Sequence, residues 1–211
     1  MKVNLLCGNR NLPDNILEEK QSESWIGIDR GALILYNHDI HQLFAVGDFD
    51  SIDEEEQRKL SNQLKLNPLN PEKNDTDLAL GIEQAVESGY KEIDVYGATG
   101  GRLDHFLGAV QILEKPQYQE MNVVIKLIDD KNEIQYLTDT INQVAYSNIY
   151  HYISFIPVHD KTTISLSNFK YNLEQETLHQ GSTLTISNEL NEKEGIVEII
   201  EGSVLMIRSK D

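Results

Sequence analysis

Leu43-Phe44-Ala45-Val46-Gly47-Asp48-Phe49-Asp50-Ser51 carries the pattern from which the rest of the chain can be read. The apolar run Leu43 to Val46 has the length of a short buried strand. Two carboxylates follow it two residues apart, with glycine before them and serine after. Acids held together at a strand end repel unless something positive lies between them. A hard cation such as Mg²⁺ suits the place, because it takes oxygen ligands and few of them from protein. The alternative is a polar turn, where Gly, Asp and Ser recur for backbone reasons. Taken alone, these five residues favour the turn; three other stretches shift the balance.

On both sides of this stretch strand and helix signals alternate. Val3 to Cys7 reads as a first strand ending at Gly8-Asn9, followed by a helix with Asn11 or Asp14 as cap. Ser24 to Ile28 is a second strand, which runs into Asp29-Arg30-Gly31-Ala32 and a buried helix over Ala32 to Tyr36. After the strand before Asp48, Asp53-Glu54-Glu55-Glu56 starts a solvated helix, with acids where the macrodipole favours them. Leu64 to Leu66 is a short strand that Pro68 and Pro71 break. Asn74-Asp75-Thr76-Asp77 opens a helix whose Leu78, Ile82, Ala85 and Val86 share one face. Ile93 to Tyr96 is a strand running into Gly97-Ala98-Thr99-Gly100-Gly101-Arg102. A helix follows with Leu103, Phe106, Leu107 and Val110 on one side, and then a strand over Val123 to Ile128. Such an order implies a mostly parallel sheet covered by helices, and ligands bind such sheets at the carboxyl ends of the strands. Asp29, Asp48, Asp50 and the glycine loop all fall just past strand ends.

From about Lys131 the helical period gives way to short strands: Glu133 to Leu137, Tyr152 to Ile156, Thr162 to Leu166, Ser182 to Ser187, Ile196 to Ile200 and Val204 to Arg208. Glu201-Gly202-Ser203 has hairpin length. Val197 and Ile199 share a face of one strand, and Leu205 and Ile207 a face of the other. The pattern predicts an antiparallel sandwich or small barrel. The domain boundary falls near Asp129-Asp130-Lys131, giving domains 1–129 and 130–211.

The formal net charge of -17 argues against sequence-independent nucleic-acid binding and against docking on anionic lipid. An anionic substrate would need a metal or a local basic pocket, whereas a cationic one is drawn in. The single cysteine, Cys7, permits no intrachain disulfide and reads as a small core residue. With no leader-like start and no apolar stretch of spanning length, a cytoplasmic protein is expected.

Other residues in these stretches have two readings. Asp77 either closes a capping box from Asn74 or binds a metal or substrate. Thr76 could cap instead. Lys73 is a surface lysine or a point charge for phosphate. Gly97 to Gly101 lets a backbone approach phosphate at a helix start, but it lacks the spacing of a Walker A loop and of a dinucleotide fingerprint, and a bare glycine turn is the competing reading. Arg102 can fork onto phosphate oxygens. His105 reads as a packing or hydrogen-bonding residue. Phe169 and Tyr171 belong to a core or its rim, and Ser187-Asn188-Glu189 to a turn or a site.

In order, Asp29-Arg30-Gly31-Ala32, Gly47 to Ser51, Lys73-Asn74-Asp75-Thr76-Asp77 and Gly97 to His105 resemble the motif series of thiamine pyrophosphokinases. Phe169 to Leu173 and Gly181 to Glu189 look like that family's C-terminal motifs. Two positions depart from it: Arg30 stands for a glycine and Asn74 for an aspartate. The resemblance implies an α/β fold, with an N-terminal Rossmann-like three-layer domain that binds nucleotide and metal. An antiparallel β-sandwich domain for thiamine binding and dimerisation would follow. It implies transfer of the pyrophosphoryl group of ATP to the hydroxyl of thiamine with Mg²⁺, in a homodimer whose sites are shared between subunits. Asp48, Asp50 and Asp77 are then the expected metal ligands. Asp104 is a further ligand or an acceptor that orients the hydroxyl. Lys73, Thr76, Gly100, Gly101 and Arg102 are expected at the nucleotide, Asp29 near the nucleotide or metal, and Tyr171, Thr185, Ser187 and Asn188 at thiamine. The rivals are a Mg²⁺-dependent phosphohydrolase and a non-catalytic nucleotide- or thiamine-binding sensor.

Overall fold

A computed structural model describes residues 1–49, 53–63, 66–68, 75–138 and 140–211, so Asp50, Lys73 and Asn74 lie outside the described residues. The chain divides into two compact units, Met1–Asp130 and Lys131–Asp211.

The first unit runs β1 (Lys2–Leu6), α1 (Ile16–Glu19), β2 (Trp25–Ile28), α2 (Arg30–Asn37), β3 (Gln42–Gly47), α3 (Glu54–Gln63), β4 (Leu66–Pro68), α4 (Asp77–Glu87), β5 (Glu92–Tyr96), α5 (Leu103–Leu113), α6 (Pro116–Glu120) and β6 (Val124–Ile128). Its strands are ordered β4-β3-β2-β1-β5-β6, and every pair is parallel. From β1 the chain winds first toward β2 and later crosses to β5, so the strand order reverses between β1 and β5. A crevice opens at such a point, beyond the carboxyl ends of the two strands. β1 and β5 are buried except at their first residues, as fits strands covered on both faces. Trp25, Leu6, Leu35 and Tyr96 pack into one apolar cluster, with the Trp25 and Tyr96 rings 5.7 Å apart.

Several local expectations change. The first helix shrinks to the four residues of α1, entered through Asn15 in the left-handed conformation. Pro68 belongs to the fourth strand rather than following it, as the last residue of β4 at the sheet edge, where a missing N–H is tolerated. Asp53 caps α3, its Oδ1 accepting from the N–H groups of Glu55 and Glu56. The cap of α4 is Thr76, whose Oγ1 accepts from Ala79 N–H at 3.3 Å, so Asp77 is the first helical residue and no capping box places it at the third. The apolar side read on α5 is left partly open among the described residues. Leu103 and Leu107 are exposed, and the helix buries Ala109, Ile112 and Leu113 instead.

The second unit consists of β7 (Asn132–Thr138), β8 (Ile141–Ala145), β9 (Tyr152–Pro157), β10 (Thr162–Ser167), β11 (Leu173–Leu178), β12 (Glu194–Glu201) and β13 (Ser203–Ser209). Here the strands pair antiparallel in the orders β7-β13-β9 and β11-β10-β12-β8. Residues of both sets share one core, in which Phe155 and Phe169 meet edge to face at 5.6 Å. This is the sandwich. The expected β12–β13 hairpin does not form. Gly202, at φ +84, carries the chain from one sheet to the other, and β12 and β13 pair with different partners. The buried face of β13 is consequently Val204 and Met206, not Leu205 and Ile207. The expected strand over Ser182 to Ser187 is a run of turns, followed by an isolated bridge between Asn188 and Ile153 of β9. Among the described residues no helix is long and apolar enough to cross a membrane.

Candidate active site

A cleft of about 520 Å³ opens at the carboxyl ends of β1, β2 and β5, and the first turns of α4 and α5 reach it. Glycines allow its floor to close up. A Cβ on Gly97, which holds φ +73, would lie 2.3 Å from the Gly8 carbonyl oxygen, so the ends of β1 and β5 come this close because residue 97 lacks one.

Asp29 leaves β2 at φ 47 and ψ -123, a conformation that costs an ordinary residue about 1–3 kcal/mol. Its N–H donates to the Val46 carbonyl at 2.9 Å, which fixes the turn against β3. Gly47 completes the arrangement: a Cβ there would sit 2.1 Å from Asp29 Oδ1. The carboxylate of Asp29 therefore reaches past the end of β3 to the residue that follows. Oxygens of Asp29, Asp48 and Asp77 all lie within 4.8 Å of one another. Oxygens on opposite sides of a hard cation stand about 4 Å apart for Mg²⁺ and about 5 Å for Ca²⁺, so an all-carboxylate set gathered this closely fits a hard cation by its donor chemistry, with Mg²⁺ asking for a slight tightening. Asp29 was expected near nucleotide or metal, and here it stands within the acidic group itself.

The glycine loop is tied to β6. Thr99 Oγ1 donates to Asp129 Oδ2 at 2.7 Å, both buried, and Asp130 N–H donates to the Asn11 carbonyl at 2.8 Å. Gly97, Ala98, Gly101 and Arg102 line the cleft. Gly100 does not, and at φ +72 a Cβ on it would lie 2.2 Å from Asn11 Nδ2. Its glycine therefore serves the packing of the loop on Asn11 rather than space for a ligand. Arg102 forks onto Asp104, Nε to Oδ1 at 3.1 Å and Nη2 to Oδ2 at 2.6 Å, with both side chains exposed. The hydrogen bond from Arg102 lowers the Asp104 carboxyl to about 2. Asp104 stands apart from the group of three and does not line the cleft. Thr76 lines the cleft while capping α4. Cys7 lines it too, and burial, with the Asp29 charge adding, pushes its thiol up to about 12, which leaves it protonated and unreactive.

Sequence reasoning passed over Arg10, which lines the cleft, and over Asp129, seen only as a domain boundary. The signal for Arg10 was its place four residues past the end of β1, where this kind of sheet gathers its ligand contacts.

In the sandwich the four expected residues divide into two pairs. Thr185 is buried and its hydroxyl donates to the Phe155 carbonyl. Asn188 is buried, accepts from Tyr171 N–H at 3.0 Å and donates to the Tyr171 carbonyl at 2.8 Å. These two side chains hold the backbone of the loops. Tyr171 and Ser187 face solvent, with Ser187 held at φ 58 by its N–H bond to Ser154 Oγ at 3.0 Å. Lys170 Nζ stands 5.6 Å over the Tyr171 ring and pairs with Glu189 at 2.6 Å.

Comparison with known proteins agrees along the chain. The family model described as "Thiamin pyrophosphokinase, catalytic domain" matches residues 17–125, and "Thiamin pyrophosphokinase, vitamin B1 binding domain" matches residues 138–204. The thiamine pyrophosphokinase of Bacillus subtilis (strain 168) is 38% identical over 213 residues, which is 99% of each chain. The crystal structure of a probable thiamine pyrophosphokinase from Staphylococcus saprophyticus is 56% identical, with a TM-score of 0.82 over 100% of both chains. That of the thiamine pyrophosphokinase from Bacillus subtilis is 37% identical, with a TM-score of 0.90 over the same share. Two matching family domains and full-length relatives agree with the order of the motifs and with the acidic group at the sheet's crevice: the chain belongs to the thiamine pyrophosphokinase family.

Proposed function

We propose that this chain transfers the pyrophosphoryl group of ATP to the hydroxyl of thiamine, giving thiamine diphosphate and AMP. The observation that carries it is the convergence of Asp29, Asp48 and Asp77, two of which, Asp29 and Asp77, line a cleft together with Arg10, Arg30 and Arg102, in a member of this family. In the transfer the thiamine hydroxyl oxygen bonds to the β-phosphorus and gives up its proton to solvent, the bond from that phosphorus to the oxygen bridging to the α-phosphorus breaks, and AMP leaves with that oxygen. Chemistry of this kind asks the protein mainly for positioning and for neutralisation of charge. Asp29, Asp48 and Asp77 would hold Mg²⁺, and Asp50 follows from its motif. When bound, the ion neutralises charge on the phosphate oxygens and orients them.

Asp104 orients the Arg102 fork, whose hydrogen bond holds its carboxyl below the usual range. Arg102, the backbone of Gly101, and Lys73 by its motif face the phosphates, and Thr76 opens the helix beside them. Gly100 supports the loop from behind. In the sandwich, Tyr171 and Ser187 are exposed for contact with thiamine, while Thr185 and Asn188 hold the loops that present them. The working protein is a homodimer with sites shared between subunits, and it acts in the cytoplasm, where ATP is at hand.

The test is product analysis after incubation with ATP, thiamine and Mg²⁺. Thiamine diphosphate and AMP should appear in equal amounts and stop appearing in EDTA. AMP or phosphate released without a thiamine product would make the protein a phosphohydrolase. Saturable binding without turnover would make it a sensor.

A further inference from the structure

Three guanidinium groups line the cleft, and they are not equivalent. Arg102 already has both arms of its fork on Asp104. Arg10 and Arg30 make no ion pair among the described residues. Arg10 is also placed rather than loose. Its Nη1 lies 1.8 Å from the point a Cβ on Gly101 would occupy, and its Cζ lies 2.9 Å from that point, so the guanidinium rests directly on the backbone of the glycine loop. Both sides of this contact are anchored. The neighbouring Asn11 receives the Asp130 N–H bond and packs against Gly100, and Thr99 is tied to Asp129. A chain of net charge -17 repels anions at a distance, so an anion that reaches the cleft must find its positive charge locally.

We propose that Arg10, seated on Gly101, is a binding residue for the phosphate chain of the nucleotide, with Arg30 as the second unpaired cation of the same cleft. Arg102 then contributes through the donors that Asp104 leaves it, since Nε and Nη2 are held by that carboxylate. The glycine at position 101 is required because a side chain there would displace Arg10, a reason separate from any direct contact of ligand with the loop. The proposal rests on the pyrophosphoryl-transfer reading for the identity of the anion, a nucleoside triphosphate.

The test uses the full chain and two probes that undergo no transfer: the α,β-methylene analogue of ATP with Mg²⁺, and inorganic triphosphate. Calorimetry gives their affinities for the parent chain, Arg10→Gln, Arg10→Lys and Gly101→Ala, and thiamine affinity is measured beside them. Arg10→Gln should weaken both probes about tenfold, the loss expected for one charge-assisted contact. Thiamine affinity should hold, Arg10→Lys should recover part of the loss, and Gly101→Ala should imitate Arg10→Gln. Parent-like affinity of Arg10→Gln for both probes overturns the proposal. So does a loss confined to the ATP analogue, since Arg10 would then read the nucleoside. If the parent chain makes thiamine diphosphate while Arg10→Gln binds the probes normally, this inference fails and the transfer reading stands. If both probes depend on Arg10 but no thiamine diphosphate forms, the reverse holds.

Discussion

Gly47 keeps the end of β3 clear of any side chain that would push against Asp29, and the acidic group depends on that clearance. With a Cβ placed 2.1 Å from Asp29 Oδ1, a methyl at this position forces the carboxylate aside. Gly47→Ala should therefore lower pyrophosphoryl transfer about 100-fold, the effect of misplacing a reacting group by around an ångström. The two-unit fold should persist, because the change lies at a strand end. Steady-state rates measured beside circular dichroism decide the point. A folded variant with parent-like rates would show that Asp29 does not need its present position. Arg30 shows how a departure from a motif is tolerated. It is exposed, whereas a Cβ on Gly31 would lie 1.7 Å from the Leu6 carbonyl oxygen, so the second glycine of that turn is the one packing demands. The roles of Thr185 and Asn188 were not legible from residue type. A hydroxyl or amide can bind a ligand or bridge a backbone gap, and only the fold shows that Phe155 and Tyr171 take them up.

Strands and helices of the first unit were readable because β2, β3 and β4 pair in succession, as do β5 and β6, and alternating βα order leaves few topologies for the one distant pairing, β1 with β5. Where an element's partner comes from afar, the local pattern misled. β12 and β13 are separated by one glycine yet pair with different strands, so turn length pointed to a hairpin that the core does not build. On α5 the stripe Leu103 and Leu107 has helical spacing, but the side covered within the unit is the one with Ala109, Ile112 and Leu113. Spacing identifies an apolar side without saying what covers it. The start of α4 posed a choice between caps, and Thr76 took it with a bond to Ala79 N–H. Thr76→Ala removes that bond and should lower stability by about 1 kcal/mol. Urea unfolding should show the loss as a lower midpoint at unchanged slope. An unaltered midpoint would mean that the helix start is held by something other than its cap.

At the scale of the whole molecule, charge sets the approach of the two substrates. A net charge of -17 attracts cationic thiamine and repels Mg²⁺-ATP, and added salt screens both effects. Raising the ionic strength should therefore slow association of thiamine and speed that of Mg²⁺-ATP in stopped-flow binding. Slowing of both would show that the local arginines outweigh the field of the whole chain. The division of labour rests on the three carboxylates, which bring together the ends of β2 and β3 and the start of α4. The most direct measurement of that claim is Mn²⁺ binding, followed by paramagnetic resonance with Mg²⁺ as competitor, in the parent chain, Asp48→Asn and Asp77→Asn. Each substitution removes one oxygen charge with little change of volume. Each should weaken Mn²⁺ binding about tenfold or more, and pyrophosphoryl transfer should fall with it. If both variants bind Mn²⁺ and form thiamine diphosphate as the parent does, the three aspartates are not the cation site.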